Sequence, residues 1–223
     1  MKKKFDILLI VGVIILSLIV GLIFNDLIGG ITLAFGFLSA YYSAVGKWIN
    51  YIFGILFSLI YAYINFINGL YGLVIFTVLV YLPVQIYGII SWIKTKDDDG
   101  VVFMNSWKAK HAVLLCVSVV AFSVGVGFVL NLSPSQSLPF LDSFSQLINV
   151  AGVVLCSLRF RECWYIWLIN NVVDLTIWII NVCNVAPSAI MMLITSIMYL
   201  VMNVIGLINW VKKENEQKRD DKT

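Results

Sequence analysis

The chain of 223 residues is 61% hydrophobic and only 12% charged, whereas a soluble domain carries about a quarter charged residues. Its mean hydropathy of +0.97 predicts an all-α integral membrane protein with no sizeable soluble domain between the apolar runs. The net charge is +3. The sequence contains no glycine-rich phosphate loop, which excludes ATP hydrolysis by a Walker A site.

Eight apolar segments are predicted to cross a membrane as helices. In chain order they cover residues 7–25, 30–46, 48–66, 69–93, 109–131, 139–158, 162–184 and 188–211. No small-residue cleavage site follows the first segment, so we expect a permanent helix there rather than a signal peptide. Pro83 lies inside the fourth segment, where it must break a backbone hydrogen bond and loosen the helix.

The basic residues are confined to every second connection between these segments. All 15 lysines and arginines lie in residues 1–6, at Lys47, in 94–110, at Arg159 and Arg161, or in the tail from Lys212. The turns near residues 25–26, 68, 133–136 and 186–187 contain none. The positive-inside rule therefore predicts that both termini are cytoplasmic and that the net charge signals orientation rather than nucleic-acid binding.

Several polar residues are not expected to form a site. The charged loop 94–100, with Asp97–Asp99, is interpreted as a solvated linker without a metal, and the tail 213–223 as disordered or a frayed helix. His111, the only histidine, is interpreted as a solvated residue at a helix entrance. The four cysteines match no metal or disulfide pattern and are expected to be small buried hydrophobes; they are Cys116, Cys156, Cys163 and Cys183.

Two segments of the chain resemble each other. YLPVQIYGIISWIK begins at Tyr81, and YLVMNVIGLINWVK begins 118 residues later at Tyr199. An offset of 116 aligns a second set of residues. In this alignment Trp48, Tyr51, Gly54 and Ser58 correspond to Trp164, Trp167, Asn170 and Asp174.

These matches predict two parallel three-helix repeats joined by a linker helix, a 3+1+3 plan with an extra N-terminal helix. The corresponding parts are residues 1–29, the first repeat 30–94, the loop and linker helix 95–138, the second repeat 139–212 and the tail 213–223. Parallel repeats are typical of transporters that hold their solute near the membrane midplane between the halves.

One segment of the seventh span, WYIWLINNVVDLTIW, is unusually polar for its position. Its spacing of three and four residues predicts a single helical face made of Trp164, Trp167, Asn171, Asp174 and Trp178. An aspartate in a membrane helix should face the bundle interior or a water-filled cavity. We interpret this face as one wall of a solute site; the alternative is an aromatic packing stripe whose polar residues hold helices together.

The other candidate contacts are amides. Asn170, Gln85 and Asn203 are expected to bind the polar groups of the solute, with Asp174 suited to a cation or to an orienting amide network. An intramembrane enzyme would need paired catalytic groups or a metal set, and one aspartate without histidine supplies neither. We therefore expect no catalytic residue, no metal and no cofactor; a receptor-like membrane protein without transport stays an alternative.

The residues resemble a known transporter family. The pattern WxxWxxxNxxxxxxW, filled by Trp164, Trp167, Asn171 and Trp178, resembles the signature of the PnuC family of bacterial nicotinamide riboside transporters. The segment GKWINYIFGILFSLIYAYI and the Gly-x-x-x-Trp endings of the fourth and eighth spans are also similar to that family. The resemblance covers residues 30–212; Asp174 is not part of the motif.

This resemblance implies a SWEET-like 3+1+3 fold in the bacterial cytoplasmic membrane. It also implies facilitated diffusion of nicotinamide riboside, which a cytoplasmic kinase would trap by phosphorylation. Family relatives carry thiamine, riboflavin or deoxynucleosides, and these solutes stay open as alternatives. Because all the signature tryptophans and Asn171 are present, nicotinamide riboside is favoured. The expected partners are this solute, the lipid bilayer and the kinase, with a homo-oligomer left open and no nucleic acid.

Overall fold

A computed structural model of the chain describes residues 2–67, 77–97, 100–105, 109–132, 139–184 and 189–220. These residues form the helices α1 (Lys2–Ile23), α2 (Leu27–Ala44), α3 (Asn50–Ile67), α4 (Leu82–Lys94), α5 (Ala109–Leu130), α6 (Pro139–Ser157), α7 (Cys163–Cys183) and α8 (Ala189–Asp220). Their only β structure is a few isolated bridges near the helix ends. The predicted all-α class is confirmed.

Length and composition identify membrane-crossing helices within this described part of the chain. Five segments suffice on both counts: α2, Thr77–Lys94, α6, α7 and the Ala189–Gln217 part of α8. Shorter apolar stretches, Ile7–Ile23, Asn50–Tyr63 and Val117–Leu130, lie in α1, α3 and α5. The protein is a multi-pass membrane protein, and the count of eight spans stays a prediction.

Six helices form a closed ring through their contacts. In order around the ring, neighbours touch as α2, α3, α4, α6, α7 and α8, and α8 returns to α2. The other two helices lie outside, with α1 against α2 and α5 against α6. Small residues allow the close approach of α1 and α2, because a β-carbon on Gly30 would lie 3.0 Å from the Gly21 Cα.

Pro83 has the predicted effect on the fourth span. It is the second residue of α4, and a π-helical turn, Thr77–Tyr81, precedes that helix. Proline has no N–H to donate to the preceding turn, and a π turn is one way in which a chain accommodates the missing bond. The predicted loosening is therefore confirmed, whereas residues 68–76 of this span lie outside the described residues.

Two similar hydrogen bonds each join a pair of neighbouring helices in the ring. The indole of Trp92 in α4 donates to the carbonyl oxygen of Cys156 in α6 at 2.9 Å. The indole of Trp210 in α8 donates to the carbonyl oxygen of Ser43 in α2, also at 2.9 Å. Trp92 and Trp210 are 0% exposed, so these bonds are shielded from water and hold α4 to α6 and α8 to α2.

The structure corrects the register between α3 and α7. The Tyr51 ring lies where a β-carbon on Gly88 would be, and the Trp164 ring lies where one on Gly206 would be. This pairs Tyr51 with Trp164 at an offset of 113 residues. The predicted offset of 116, which paired Tyr51 with Trp167, is wrong. It aligned tryptophan with tryptophan, whereas the structure aligns the two rings that each pack against a glycine.

The tail after Lys212 is helical as far as Asp220, so the prediction of a disordered tail is wrong there; residues 221–223 lie outside the described residues. Helix α8 continues to Asp220, and the Glu214 residue is only 1% exposed. The Glu214 carboxylate lies 3.0 Å from the Arg161 guanidinium, and Gln217 accepts a hydrogen bond from the Met104 amide at 3.1 Å. These contacts stabilise a helix that its composition alone would not support.

Residues 101–105, in the loop between α4 and α5, pack against the turn that follows α2 and the turn that precedes α7. Val102 is 0% exposed, and its N–H donates to the Gly46 carbonyl at 3.1 Å. Asn105 donates to the Arg159 carbonyl at 2.8 Å. Met104 packs with Val102 in the same core cluster. This inserted segment, residues 101–105, is therefore packed into the end of the ring at which α7 begins.

The first half of that loop is more exposed. Lys94 and Lys96 are exposed, as expected, and the Asp97 carboxylate accepts a hydrogen bond from the Val101 amide at 2.7 Å. Asp98 and Asp99 lie outside the described residues. No cluster of metal-ligating side chains occurs among the residues that are described.

The remaining expectations concern cysteine and histidine. Cys156 and Cys163 are buried free thiols, as predicted, whereas Cys183 is free but exposed, so that prediction is wrong there. The end of α7 turns Cys183 outward from the ring. The Cys116 and His111 side chains lie outside the described residues, and the His111 backbone belongs to the first turn of α5 rather than to a loop.

Candidate functional site

Helix α7 turns its polar and aromatic stripe toward the interior of the ring. Trp164 and Asn171 are buried, and Trp167, Asp174 and Trp178 are half-buried. The opposite side of the helix is exposed, at Tyr165, Ile169, Val172, Thr176 and Ile179. This burial pattern agrees with the single inward face that the spacing predicts.

Asp174 is held by hydrogen bonds to both of its carboxylate oxygens. Oδ1 accepts from the Ser145 hydroxyl of α6 at 2.5 Å, and Oδ2 accepts from the Asn170 amide at 2.8 Å. Polar side chains of α6 and α7 therefore satisfy this carboxylate, as expected for an acidic residue that faces the interior of a membrane bundle.

Two more hydrogen-bonded pairs of polar side chains join neighbouring helices of the ring. The Asn203 amide donates to the Asn171 oxygen, joining α8 to α7. The Gln85 amide nitrogen donates to the Ser58 hydroxyl at 2.7 Å, joining α4 to α3. Gln85 and Asn203 are 118 residues apart and Ser58 and Asn171 are 113 apart, so the two pairs occupy equivalent places.

Two buried amide oxygens have no donor among the described residues. They are Gln85 Oε1 and Asn170 Oδ1, on residues that are 6% and 5% exposed. A buried acceptor without a partner is costly, and native structures rarely leave one without a role. Both atoms can accept hydrogen bonds from the N–H and O–H groups of a bound solute.

The two tryptophans at the start of α7 lie in different surroundings. Trp164 is 0% exposed, and its ring packs edge-on against Trp167 and Trp210 at centroid distances of 5.2 and 5.8 Å. Its buried indole N–H has no acceptor among the described residues. Trp167 is half-buried, with its indole over Gly152 of α6. In this conformation Trp164 is a packing residue, and Trp167 is the more exposed of the two tryptophans.

Trp178 is half-buried at the other end of the stripe, about 21 Å along the helix from Trp164. Hydrogen bonds connect Asn170 to Asp174 and Asn171 to Asn203. These bonds join predicted site residues to one another, whereas Gln85 bonds to Ser58 of α3, which was not among the predicted site residues.

Sequence reasoning missed the partners of these side chains: Ser58, Ser145, Gly54 and Gly152. The serines resemble ordinary packing serines in sequence, and only the contacts between helices reveal what they hold. The glycines were a weak signal of close packing, because a helix interior usually avoids glycine.

The chain is similar to characterised transporters over most of its length. Residues 26–212 match the family described as nicotinamide mononucleotide transporter. The nicotinamide riboside transporter PnuC of Neisseria mucosa is 30% identical over 183 residues, which cover 79% of this chain and 69% of that protein. The protein of the same name from Haemophilus influenzae is 29% identical over 172 residues, covering 75% and 71%.

A solved structure has the same fold. The crystal structure of the vitamin B3 transporter PnuC superposes with a TM-score of 0.78 at 25% identity, covering 95% of this chain and 92% of the other. Sequence and fold therefore agree with the tryptophan signature in α7. The chain belongs to the PnuC family of nicotinamide-compound transporters and is a membrane transporter rather than an enzyme.

Proposed function

We propose that this protein carries nicotinamide riboside across the bacterial cytoplasmic membrane by facilitated diffusion. The observation that carries the proposal is the ring interior, which combines indole faces, one carboxylate and two buried acceptors without donors. Nicotinamide riboside has a flat cationic ring, a carboxamide and ribose hydroxyls. Each class of group in the site therefore has a chemical counterpart in the solute.

The cationic ring is proposed to lie against the indoles. Trp167 has the more accessible face, and a pyridinium ring over an indole gains a cation–π interaction of about 0.5–2 kcal/mol. Trp164 and Trp178 are proposed to bound the site toward its two ends. The Asp174 carboxylate supports the positive charge from a distance, since both of its oxygens already accept hydrogen bonds.

The amides are proposed to bind the polar groups of the solute. Gln85 Oε1 and Asn170 Oδ1 are the acceptors that need donors, and the carboxamide and ribose hydroxyls supply them. Asn171 and Asn203 already bond to each other, so they are proposed to offer their remaining amide positions.

A riboside fits this interior better than a mononucleotide. The sequence has no lysine or arginine in residues 48–93, 111–158 or 162–211. A phosphate in the ring would therefore lack a cationic partner and would face the Asp174 carboxylate, which is unfavourable in a low-dielectric interior. Phosphorylation by a cytoplasmic kinase would then prevent the product from returning and would drive net uptake.

The proposed architecture is the 3+1+3 plan with both termini cytoplasmic. Helices α2–α4 of residues 30–94 and α6–α8 of residues 139–212 are proposed to be the repeats, with α5 as the linker and α1 as the addition. The two indole hydrogen bonds and the two pairs of polar side chains lie at equivalent places in the two halves, which supports this duplication. The distribution of basic residues supports the orientation.

In the conformation described, the inserted segment 101–105 is proposed to close the cytoplasmic end. Val102 and Met104 pack in one cluster with Trp92, Trp164 and Trp210. Any solute leaving the ring toward the cytoplasm would have to pass these side chains. We propose that release requires this segment to move away from the turns at Gly46 and Arg159.

A binding screen of the purified protein tests the choice of solute. Nicotinamide riboside, nicotinamide mononucleotide, thiamine, riboflavin and deoxynucleosides should be titrated in parallel and followed by calorimetry. Nicotinamide riboside should bind most tightly, and the mononucleotide should bind at least tenfold more weakly, as expected for an unpaired buried phosphate. Tighter binding of thiamine, riboflavin or a deoxynucleoside would favour the corresponding alternative.

A further inference from the structure

Gly54 of α3 lies directly against the acceptor oxygen of Gln85. A β-carbon on Gly54 would collide with Gln85 Oε1 and would lie 3.2 Å from the Ser39 hydroxyl oxygen. The other end of the same amide is fixed, because Gln85 Nε2 donates to Ser58 at 2.7 Å. The position of Oε1 therefore depends on the absence of a side chain at residue 54.

The equivalent place in the other half of the ring is filled differently. At the offset of 113 residues, Gly54 corresponds to Trp167 and Ser39 corresponds to Gly152. The Trp167 indole occupies the space where a β-carbon on Gly152 would be. One half therefore has a glycine beside a long amide, Gln85, whereas the other has a large indole on the middle helix.

We propose that Gly54 is a positioning residue that sets the hydrogen-bonding wall of the solute site. It keeps Gln85 Oε1 at the height where a donor group of the solute reaches it, opposite the indole wall of Trp167. Unequal side chains at equivalent positions thus give a duplicated scaffold one amide wall and one aromatic wall. An unsymmetrical solute with a flat ring and N–H or O–H donors would then bind in one orientation.

This inference rests on the proposed function, because it assigns the donor to nicotinamide riboside. The donor that Gln85 Oε1 accepts from is either the carboxamide N–H or a ribose O–H. Nicotinic acid riboside lacks the first, and nicotinamide 2′-deoxyriboside lacks one hydroxyl. The analogue that binds wild-type protein more weakly identifies the donor.

The test is Gly54→Ala, with Gly125→Ala as the matched control. Both exchange a helical glycine for alanine and gain helix propensity, but a β-carbon at Gly125 meets nothing within 4 Å. Dissociation constants for nicotinamide riboside and both analogues should be measured together with the melting temperature. Gly54→Ala should bind nicotinamide riboside about tenfold more weakly, the loss expected when one buried acceptor is displaced.

A loss of selectivity separates positioning from packing. Gly54→Ala should affect the analogue that lacks the relevant donor less than it affects nicotinamide riboside, whereas Gly125→Ala should leave all three affinities unchanged. If Gly54→Ala lowers the melting temperature, Gly54→Ala with Gln85→Asn leaves room for the β-carbon and should show the same loss of affinity. Wild-type affinity and selectivity in a folded variant at residue 54 would overturn the inference. Failure of the wild-type protein to bind nicotinamide riboside would instead overturn the proposed function, and this inference with it.

Discussion

At the level of single residues, Trp164 and Trp167 show how one motif divides into two roles. Both belong to the same sequence pattern, yet Trp164 is 0% exposed whereas Trp167 is half-buried. The difference arises because Trp164 packs against Gly206 and Trp210, whereas Trp167 packs against Gly152. The packing and binding interpretations of the stripe therefore apply to different members of it.

Alanine substitutions should separate these roles. Trp167→Ala should weaken nicotinamide riboside binding by about 1–3 kcal/mol, the loss of a large aromatic contact and its cation–π interaction. Trp164→Ala should lower the free energy of unfolding by about 3–5 kcal/mol, because it empties a closed part of the core. Calorimetric titration and thermal unfolding in detergent measure the two effects. Aggregation of Trp167→Ala with unchanged affinity in its folded fraction would mean that the indole is a packing residue.

At the level of elements, the inserted segment 101–105 and the end of α8 hold each other. The Gln217 side chain accepts from the Met104 amide and donates to the Val102 carbonyl, at 3.1 and 3.4 Å. Lys213 of the same helix reaches the Val45 carbonyl at 3.3 Å. The polar tail thus braces the segment that we propose closes the ring, which would give its helical conformation a function.

Gln217→Ala should make this segment open more often. The Met104 amide loses its acceptor, so its hydrogen exchange should become faster while exchange in the interior of α7 stays unchanged. Glu216→Ala is the matched control, because Glu216 is exposed and makes only a 4.0 Å ion pair with Lys212. Equal exchange at Met104 in both variants would contradict the bracing role.

The positions of the helices could be predicted from sequence because apolar length and charge placement determine them. Predicted spans and observed helices agree within a few residues at most ends; α2 starts earlier, at Leu27, because Asp26 caps it through a 2.8 Å bond to the Gly29 amide. The helical tail could not be predicted, since its stability comes from Arg161 and Met104, which are distant in sequence.

The site could be predicted only on the helix that carries the motif. Periodicity placed Asn171 and Asp174 on one inward face of α7, and the repeat pointed to Gln85 and Asn203. Gly54 and its contact with Gln85 depend on the packing of α3 against α4, which leaves no periodic signal. The register of the repeat was wrong for a related reason, because residue identity is a weaker guide than the contact each residue makes.

At the level of the whole molecule, the predicted orientation rests on where the basic residues lie. In the eight-span arrangement, all of the Lys and Arg residues belong to the connections and ends that the positive-inside rule assigns to the cytoplasm. The opposite turns lie partly outside the described residues, so labelling rather than contact geometry must test them.

Cysteine accessibility tests this orientation. In a background whose four native cysteines are replaced, Ser135→Cys should react with a membrane-impermeant maleimide in intact cells. Asp98→Cys should react only after permeabilisation, because loop 94–110 is predicted to be cytoplasmic. Equal reactivity of the two variants in intact cells would contradict the eight-span arrangement.

The central claim is that the protein is a uniporter. Ion-coupled carriers usually place several ionisable groups along their path. In the ring interior, by contrast, the sequence of the spans offers Asp174 without a lysine, arginine or histidine. Asp174 is already hydrogen-bonded through both of its carboxylate oxygens. Uptake should therefore follow the solute gradient alone.

Transport of labelled nicotinamide riboside in proteoliposomes tests this claim most directly. The solute should move in either direction and stop at equal concentrations inside and outside, with or without an imposed pH or sodium gradient. Empty liposomes are the control for leakage. Accumulation above the external concentration under either gradient would contradict the account, and Asp174→Asn would then be the first variant in which to look for its loss.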